Sequence, residues 1–344
     1  MPGGALLVVR DDVSQKRPHS RRTKNFLPSN TAMAAYAHLL PRLDPNGDCT
    51  KETCDATWSV YGYTPFLSAT LFFLILFALS GAAYLVQGIK FRHAWFFTIA
   101  MLLGAVSETI GYIAKILLHD DPFSDIGFKM SVVMLTFAPA FYAAGIYYTL
   151  KHICLTFGGS FSRLRPKYYT WIFISCDVFS IMLQATGGGI ASAGGDLELV
   201  NIGTDIMITG LATQVFTMFC FGVLAADYGF AVYRNRHNLN PATASVRQST
   251  RFKLFVVALW VAYFGILIRC CYRVAELAGG WGDNPILRDQ GLFIALDSVA
   301  VAIASVVLNI WHPGWCFPKQ TQQDGVADEK MVGATSPDEE MAKA

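Results

Sequence analysis

The stretch LIRCCYRVAELAGG, residues 267–280, places three charged side chains at the end of a long apolar run. An α-helix turns by about 100° per residue, so Arg273 lies about 40° round such a helix from Arg269, and Glu276 about 20° the other way. The three side chains form one narrow stripe. Charges inside a bilayer cost about 2.5–3.5 kcal/mol each on insertion scales, so they usually face the bundle interior or a cavity. The stripe is therefore a candidate for ion pairing or for binding a charged group.

Further polar side chains recur at a similar depth in other apolar segments. With a rise of about 1.5 Å per residue from the predicted cytoplasmic end of each segment, five of them lie about 18–25 Å up. This layer consists of Glu108, Gln184, Gln214, Arg269 and Asp297. Asp177 is lower, at about 13 Å by the same count. Arg273 and Glu276 lie at the outer rim.

The charges of this layer can balance one another. Glu108 and Asp297 are candidate partners for Arg269, and Glu276 can pair with Arg273 one turn away. One interpretation is a set of structural ion pairs that hold the helices together. The other is a polar pocket with apolar walls, open to the outer leaflet, which binds an amphipathic molecule. In that second interpretation the substrate-binding residues are Glu108, Asp177, Gln184, Gln214, Arg269, Arg273, Glu276 and Asp297.

Seven apolar segments must position these side chains. Apolar residues make up 53% of the 344-residue chain and charged residues only 15%, whereas soluble domains carry about 25% charge. Each segment is near the 20 or so residues that cross a bilayer. The sequence therefore predicts an all-α polytopic membrane protein with seven transmembrane helices, at about 65–88, 94–117, 129–151, 168–192, 205–232, 252–275 and 291–311.

The loops between the segments differ in charge from one side to the other. Three of them contain lysine and arginine but no acid, and we refer to their side of the bundle as the basic side: 89–93, 151–167 and 233–253. The other three are rich in acids and define the acidic side: 118–129, 193–205 and 276–290. Because short basic loops stay in the cytoplasm, we expect the N-terminus outside and the C-terminus inside.

The two ends of the chain read differently from the membrane domain. Residues 1–57 are expected to form an extracytoplasmic tail, in which 1–32 are polar, basic and without the apolar core of a signal peptide. Those 32 residues are predicted to be disordered, or to be an upstream extension of the gene before Met33. Residues 58–315 form the membrane domain, and 316–344 read as a disordered cytoplasmic tail.

Two cysteines lie close together in the predicted outer tail. A disulfide between Cys49 and Cys54 fits an oxidising compartment, and the alternative is two free thiols on a flexible segment. The stretch TGGGIASAGG at 186–195 predicts either a close helix contact or an unwound helix end. Pro139 is expected to kink the third helix.

Several function classes are disfavoured by what these segments contain. No histidine falls at mid-membrane, so an intramembrane zinc hydrolase is not supported. No phosphate-binding GxxxxGK[ST] loop is found, and the last helix has no lysine to hold retinal. A G-protein-coupled receptor shares the seven-helix plan, but the third segment ends YYTLKHIC and the seventh LNIWHPG. We therefore expect no enzyme activity, no metal, no cofactor and no nucleic-acid partner.

Five motifs in order resemble the fungal RTA-like family, also named the lipid-translocating exporter family. They are WSVYGYTPFLSA, ETIGYIAKIL, FISCDVFSIMLQATGGG, IRCCYRVAEL and LNIWHPG, spread over about residues 58–315. The resemblance implies a fungal source, a seven-helix fold, and a place among sphingoid-base exporters, proteins of resistance to toxic amphiphiles and a porphyrin-uptake protein. The family's recurrent polar positions correspond here to Glu108, Asp177, Gln184, Arg269, Arg273, Glu276 and Asp297.

The expected function is transport or export of lipid-like amphiphiles, which gives tolerance to them. The partners are then membrane lipids and an amphiphilic small molecule, with sphingoid bases first and a toxic secondary metabolite next. A seven-helix sensor that regulates lipid asymmetry and an unrecognised intramembrane enzyme are the alternatives. The plasma membrane is the expected location, with the vacuole or another internal membrane as the alternative.

Overall fold

The computed structural model describes residues 51–52, 54–157, 166–193, 197–235, 244–280 and 284–316. Within these ranges the chain is helical, and seven helices are long and apolar enough to cross a membrane. The first six are α1 Leu67–Lys90, α2 Trp95–Asp120, α3 Asp125–Phe157, α4 Pro166–Ala193, α5 Leu197–Arg234 and α6 Thr250–Ala278. The seventh, α7, joins the α-helical turn Gln290–Leu292, the π-helix Phe293–Val299 and the α-helix Ala300–Ile310.

Successive helices lie side by side and form a closed bundle. Each of α1 to α6 contacts the next helix along the chain, α7 contacts both α6 and α1, and α3 also reaches α6 across the bundle. Two helices are longer than the sequence predicts, since α3 continues to Phe157 and α5 already begins at Leu197. The predicted outer tail before 51 and the tail after 316 lie outside the described residues.

The bundle interior between α1, α2 and α3 is aromatic. Phe73, Phe77 and Tyr112 stack with ring centroids 5.6–6.5 Å apart. Offset aromatic pairs of this kind add to the stabilisation that apolar burial provides. The opposite faces of the helices expose large apolar side chains, such as Phe72 at 60% and Phe216 at 68%, as expected for surfaces in contact with lipid.

A row of polar contacts joins α1 to α7, the first and last helices of the bundle. The hydroxyls of Ser80 and Ser305 are 2.8 Å apart, and Tyr84 donates to the Ser305 carbonyl at 2.7 Å. One turn further towards the basic side, Gln87 donates to the Asn309 side chain at 2.8 Å, and Asn309 donates to the Ser80 carbonyl at 3.0 Å. These bonds give Asn309, in the LNIWHPG motif, a structural role.

The glycine-rich end of α4 is a helix contact. A Cβ on Gly187 would lie 2.5 Å from the Gly203 carbonyl oxygen, and a Cβ on Gly203 would lie 2.5 Å from the Ala191 nitrogen. Only glycine permits backbones to approach this closely. Of the two readings of TGGGIASAGG, the described part, helical through Ala193, supports close packing against α5.

Candidate functional site: a buried charge cluster and an unpaired carboxylate

Arg269 is the centre of a charge cluster near the acidic side of the bundle. This side chain is fully buried, as are Glu108 and Asp297. Its guanidinium forms an ion pair and hydrogen bond with Glu108 on α2, and its Nε lies 3.2 Å from Oδ1 of Asp297 on α7. The pairing predicted from depth is therefore present, and Arg269 ties α6 to two other helices.

A third helix contributes a backbone acceptor. Arg269 also donates from Nη2 to the carbonyl oxygen of Leu135 on α3. Pro139 lies inside α3, four residues after Leu135. Proline has no N–H, so in a helix it leaves the carbonyl four residues earlier without a partner. The guanidinium of Arg269 satisfies the acceptor that Pro139 leaves open.

The second arginine of the stripe lies one turn nearer the acidic side. Arg273 forms an ion pair with Glu276 on the same helix, as the spacing predicts, and its Nη2 lies 3.4 Å from the Thr136 hydroxyl of α3. Asn284 donates to the Glu276 carbonyl at 2.5 Å and so caps the end of α6. The stripe thus faces the bundle interior, towards α3.

The position of Asp297 depends on an irregular helix that the sequence did not reveal. Residues Phe293–Val299 form a π-helix, whose hydrogen bonds span five residues where those of an α-helix span four, so the segment contains one extra residue. The extra residue shifts the register of α7, and Asp297 and Ser298 are both buried. Short π-helical segments occur often at functional sites.

Lys115 also belongs to the cluster, although it is not among the site residues predicted from the sequence. It is 3% exposed, and its Nζ lies 3.3 Å from the ring centroid of Phe293 and 5.4 Å from that of Tyr61. Its electrostatic neighbours include Asp297 and Glu276. The sequence feature that could have identified Lys115 is its spacing from Glu108, because residues seven apart lie on the same helix face. Three cations and three carboxylates are therefore buried together: Lys115, Arg269, Arg273, Glu108, Glu276 and Asp297.

The segment before α1 covers this cluster. Tyr61 is 7% exposed and packs against Phe128 with ring centroids 5.5 Å apart. Burial raises the pKa of Tyr61 to about 12, so its hydroxyl stays neutral at physiological pH. Between Tyr61, Arg273 and Glu276 there is a cavity of only about 10 Å³, room for about one water molecule. The cluster is closed in this structure.

The two glutamines of the predicted layer form a separate pair. Gln184 on α4 donates to Oε1 of Gln214 on α5 at 3.1 Å, and both are buried. Gly210 makes room for this contact, because a Cβ there would lie 2.8 Å from Cγ of Gln184. The structure therefore divides the predicted layer into a charge cluster and an amide pair.

Asp177 is apart from both groups. It is 3% exposed, and within the described ranges neither of its carboxylate oxygens accepts a hydrogen bond. The hydroxyl of Tyr147 on α3, a fully buried tyrosine, lies beside it and is at most a weak hydrogen-bond donor to it. The predicted site residue at lowest depth is thus a buried carboxylate without a cation.

An apolar cavity of about 190 Å³ lies between α3, α5 and α6, in the half of the bundle nearer the basic side. Leu150, Phe221, Leu259 and Tyr263 are among its walls. Gly229 also lines it and is exposed on the bundle surface, so the cavity opens sideways there. The sequence predicts a pocket on the other side of the bundle and does not indicate this one.

The predicted disulfide is only partly within the described residues. Cys54 is disulfide-bonded, whereas Cys49 lies outside the described ranges, so the pairing of the two stays a prediction. In the described part, no group of three or more His, Cys, Asp or Glu side chains is arranged to hold a metal ion.

Comparison with known proteins decides the family. The family model described as "RTA1 like protein" matches residues 101–320, a range that contains α3 to α7 and every charged residue of the buried cluster. The chain belongs to the RTA1-like family. No solved structure matches the chain.

Among RTA1-like relatives, the sphingoid long-chain base transporter RSB1 of Saccharomyces cerevisiae is 31% identical over 318 residues, covering 84% of this chain and 80% of the relative. The probable lipid transporter atnI of Emericella nidulans is 24% identical over 263 residues, covering 74% and 68%. Protein RTA1 of Saccharomyces cerevisiae is 24% identical over 280 residues, covering 74% and 85%. The resemblance stated from five sequence motifs is confirmed.

Proposed function

We propose that this RTA1-like protein moves lipid-like amphiphiles across a membrane, and that sphingoid bases are its first substrate. The similarity to a sphingoid long-chain base transporter over most of both chains supports the substrate class. The observation that carries the proposal is a set of carboxylates inside a lipid-facing bundle, at Glu108, Asp177 and Asp297. An ammonium–diol head group is the kind of cargo that such carboxylates bind.

The charge cluster acts as the outer gate of this passage. In the closed state Arg269 is paired with both Glu108 and Asp297, so neither carboxylate is free to bind another cation. Opening requires the guanidinium to release one of these two carboxylates to the substrate ammonium, so that the entering cation is paired. Since unpaired charges in low dielectric are costly, such an exchange is the way a cationic head group can pass. The site residues proposed from sequence keep their substrate-binding role in this scheme.

Transport of sphingoid base by the purified protein tests the proposal. The full chain is reconstituted in phospholipid vesicles, labelled sphingosine is added outside, and its arrival in the inner leaflet is followed over time. Protein-free vesicles give the spontaneous rate, and vesicles with a labelled diacyl phosphatidylcholine test selectivity. We expect sphingosine to move faster with protein than without it. Equal rates with and without protein would contradict the proposal.

The same vesicles distinguish the alternatives. A sensor of lipid asymmetry would bind sphingosine without moving it, and an enzyme would change its mass, which mass spectrometry of the extracted lipid detects. We propose that the chain acts without chemical conversion of its cargo. We also propose the plasma membrane as its location, which microscopy of a tagged protein against a plasma-membrane marker and a vacuolar marker tests.

A further inference from the structure

Asp177 differs from the other buried carboxylates in that no cation among the described residues pairs with it. Glu108 and Asp297 share Arg269, and Glu276 has an arginine one turn away. Asp177 forms no ion pair with the described part of the chain, where the Tyr147 hydroxyl beside it is at most a weak hydrogen-bond donor. Because a buried carboxylate is costly unless it is paired, this position is prepared for a cation that the described residues do not supply.

The surroundings of Asp177 suit an ammonium group. Tyr147 lies beside it, and the Tyr147 ring is 4.4 Å from the ring centroid of Phe221 and 5.6 Å from that of Phe173. Faces of aromatic rings attract ammonium groups, and the attraction grows when water is excluded. A carboxylate beside a tyrosine that belongs to an aromatic cluster therefore favours an organic cation over an anion.

The apolar cavity begins at the same aromatic rings. Phe221 contacts both Tyr147 and Phe173 and also lines the cavity of about 190 Å³. An engineered apolar cavity of about 150 Å³ binds benzene, so this one has room for six or more carbon atoms. Its mouth at Gly229 lets a longer chain continue into the bilayer.

We propose that Asp177 and this cavity form one binding site for a single-chain cationic amphiphile. The ammonium group pairs with Asp177 beside Tyr147, and the adjoining methylenes fill the cavity. Phe221 joins the two parts, since its ring contacts Tyr147 and also lines the cavity. Asp177 is about 13 Å from the basic side of a bilayer core about 30 Å thick, so the bound head group is near mid-membrane. This inference rests on the proposed transport function.

Three probes with the same tail test the head-group part of the site. Octadecylamine, octadecanol and octadecanoic acid differ only in the charge of the head. Each is titrated against the purified full chain in detergent, in competition with labelled sphingosine. We expect the amine to bind about tenfold more tightly than the alcohol, as a charged hydrogen bond gives, and the acid to bind most weakly. Equal binding of amine and alcohol would overturn the proposal.

Two variants locate the site within the protein. Asp177→Asn keeps the side-chain size, and we expect it to weaken amine binding about tenfold and to leave alcohol binding unchanged. Asp205→Asn, at an exposed aspartate of α5, is the control. Gly229→Leu adds a bulky side chain at the cavity mouth, where a Cβ has no neighbour within 4 Å, and we expect it to weaken the binding of both amine and alcohol. Gly189→Leu is its control, also with an exposed glycine and no neighbour within 4 Å.

Wild-type binding of the amine by either Asp177→Asn or Gly229→Leu would overturn the proposal. If Asp177→Asn does not fold, as gel filtration reveals, the probe series and Gly229→Leu decide the question alone. The binding assay also separates this inference from the proposed function. If the wild type and both variants transport sphingosine equally well, the proposed function stands and the proposed site is wrong. If the wild type binds the amine with the expected selectivity but moves no lipid, the proposed site stands and the proposed transport function is wrong.

Discussion

Arg269 donates a hydrogen bond to the backbone carbonyl of Leu135, the acceptor that lies four residues before Pro139. In an uninterrupted α-helix this carbonyl would accept the N–H of residue 139, which a proline lacks. The proline on α3 and the arginine on α6 are therefore complementary. The contact gives the intramembrane proline a role in fixing the charge cluster.

Replacing Pro139 by alanine is expected to separate stability from transport. Alanine supplies an N–H to Leu135 and is about 3 kcal/mol more favourable than proline inside a helix. We expect Pro139→Ala to keep or raise Tm in detergent, and to slow sphingosine transport, because the guanidinium then competes for its acceptor. Pro285→Ala is the control, since Pro285 is at the first turn of a short helix, where its missing N–H costs nothing. Unchanged transport by Pro139→Ala would contradict this role.

Lys115 offers a test of the cluster's charge balance. Lys115→Met keeps the length of the side chain but leaves three buried carboxylates facing two arginines. We expect transport to fall strongly and Tm to drop, because unpaired buried charge is costly. The matched control is Lys129→Met, whose lysine forms an exposed pair with Asp125 on the same helix and so contributes at most about 0.5 kcal/mol. A Lys115→Met protein with wild-type transport would remove Lys115 from the site.

The contact between α4 and α5 predicts that alanine destabilises the protein at one glycine of these helices and not at another. Gly203→Ala would place a methyl 2.5 Å from the Ala191 nitrogen, and backbone atoms cannot move aside as a flexible side chain can. We expect a loss of about 1–3 kcal/mol in stability. Gly188→Ala, where the nearest atom would be 3.8 Å away, should be neutral. Thermal unfolding of both variants in detergent measures the difference, and equal Tm values would contradict the close contact.

The seven helices and the arginine partners were predictable, because both follow from local rules. Apolar length marks a membrane-spanning segment, and depth along a helix is a simple count of residues. The count placed Glu108 and Asp297 level with Arg269, and these are its ion-pair partners. Depth, however, does not say which way a residue faces, so the amides of Gln184 and Gln214 were grouped with the charges although they pair with each other.

The remaining features depend on tertiary geometry that no local pattern encodes. The π-helix at Phe293–Val299, FIALDSV, has no proline or glycine to mark it, and a change of register there is fixed only by packing. The cavity arises from the spaces that α3, α5 and α6 leave between them. Lys115 could have been found, since it is two turns from Glu108 on one face of α2.

The orientation of the bundle stays a prediction from loop charge. A tag placed after Met33 should be reached by an antibody on intact cells, and a tag at residue 330 only after the cells are made permeable. The reason is the concentration of lysine and arginine in the three loops of the basic side, which remain in the cytoplasm. The reverse pattern of accessibility would invert the assignment, and with it the leaflet towards which the cavity opens.

Arg269 allows the two interpretations of the cluster to be separated. Arg269→Ala removes the ion-pair partner that Glu108 and Asp297 share, and the loss of one partner from a buried ion pair costs about 3–5 kcal/mol. We expect the variant to reach the membrane and to lose transport. The proposed exchange of partners needs the Arg269 guanidinium, which this variant lacks. Membrane abundance and sphingosine transport are both measured, so that loss of protein is not mistaken for loss of function.

The decisive comparison is with a neutral set that keeps the shapes of all three side chains as far as possible: Arg269→Gln, Glu108→Gln and Asp297→Asn together. If the cluster only holds helices together, amides can replace it by hydrogen bonding, and the triple variant should transport as well as the wild type. If the carboxylates receive the ammonium head group, the triple variant should reach the membrane, as its abundance there shows, and still fail to transport. We expect this second result, since an amide cannot balance a cation in low dielectric. Full transport by the triple variant would leave the cluster as a scaffold alone.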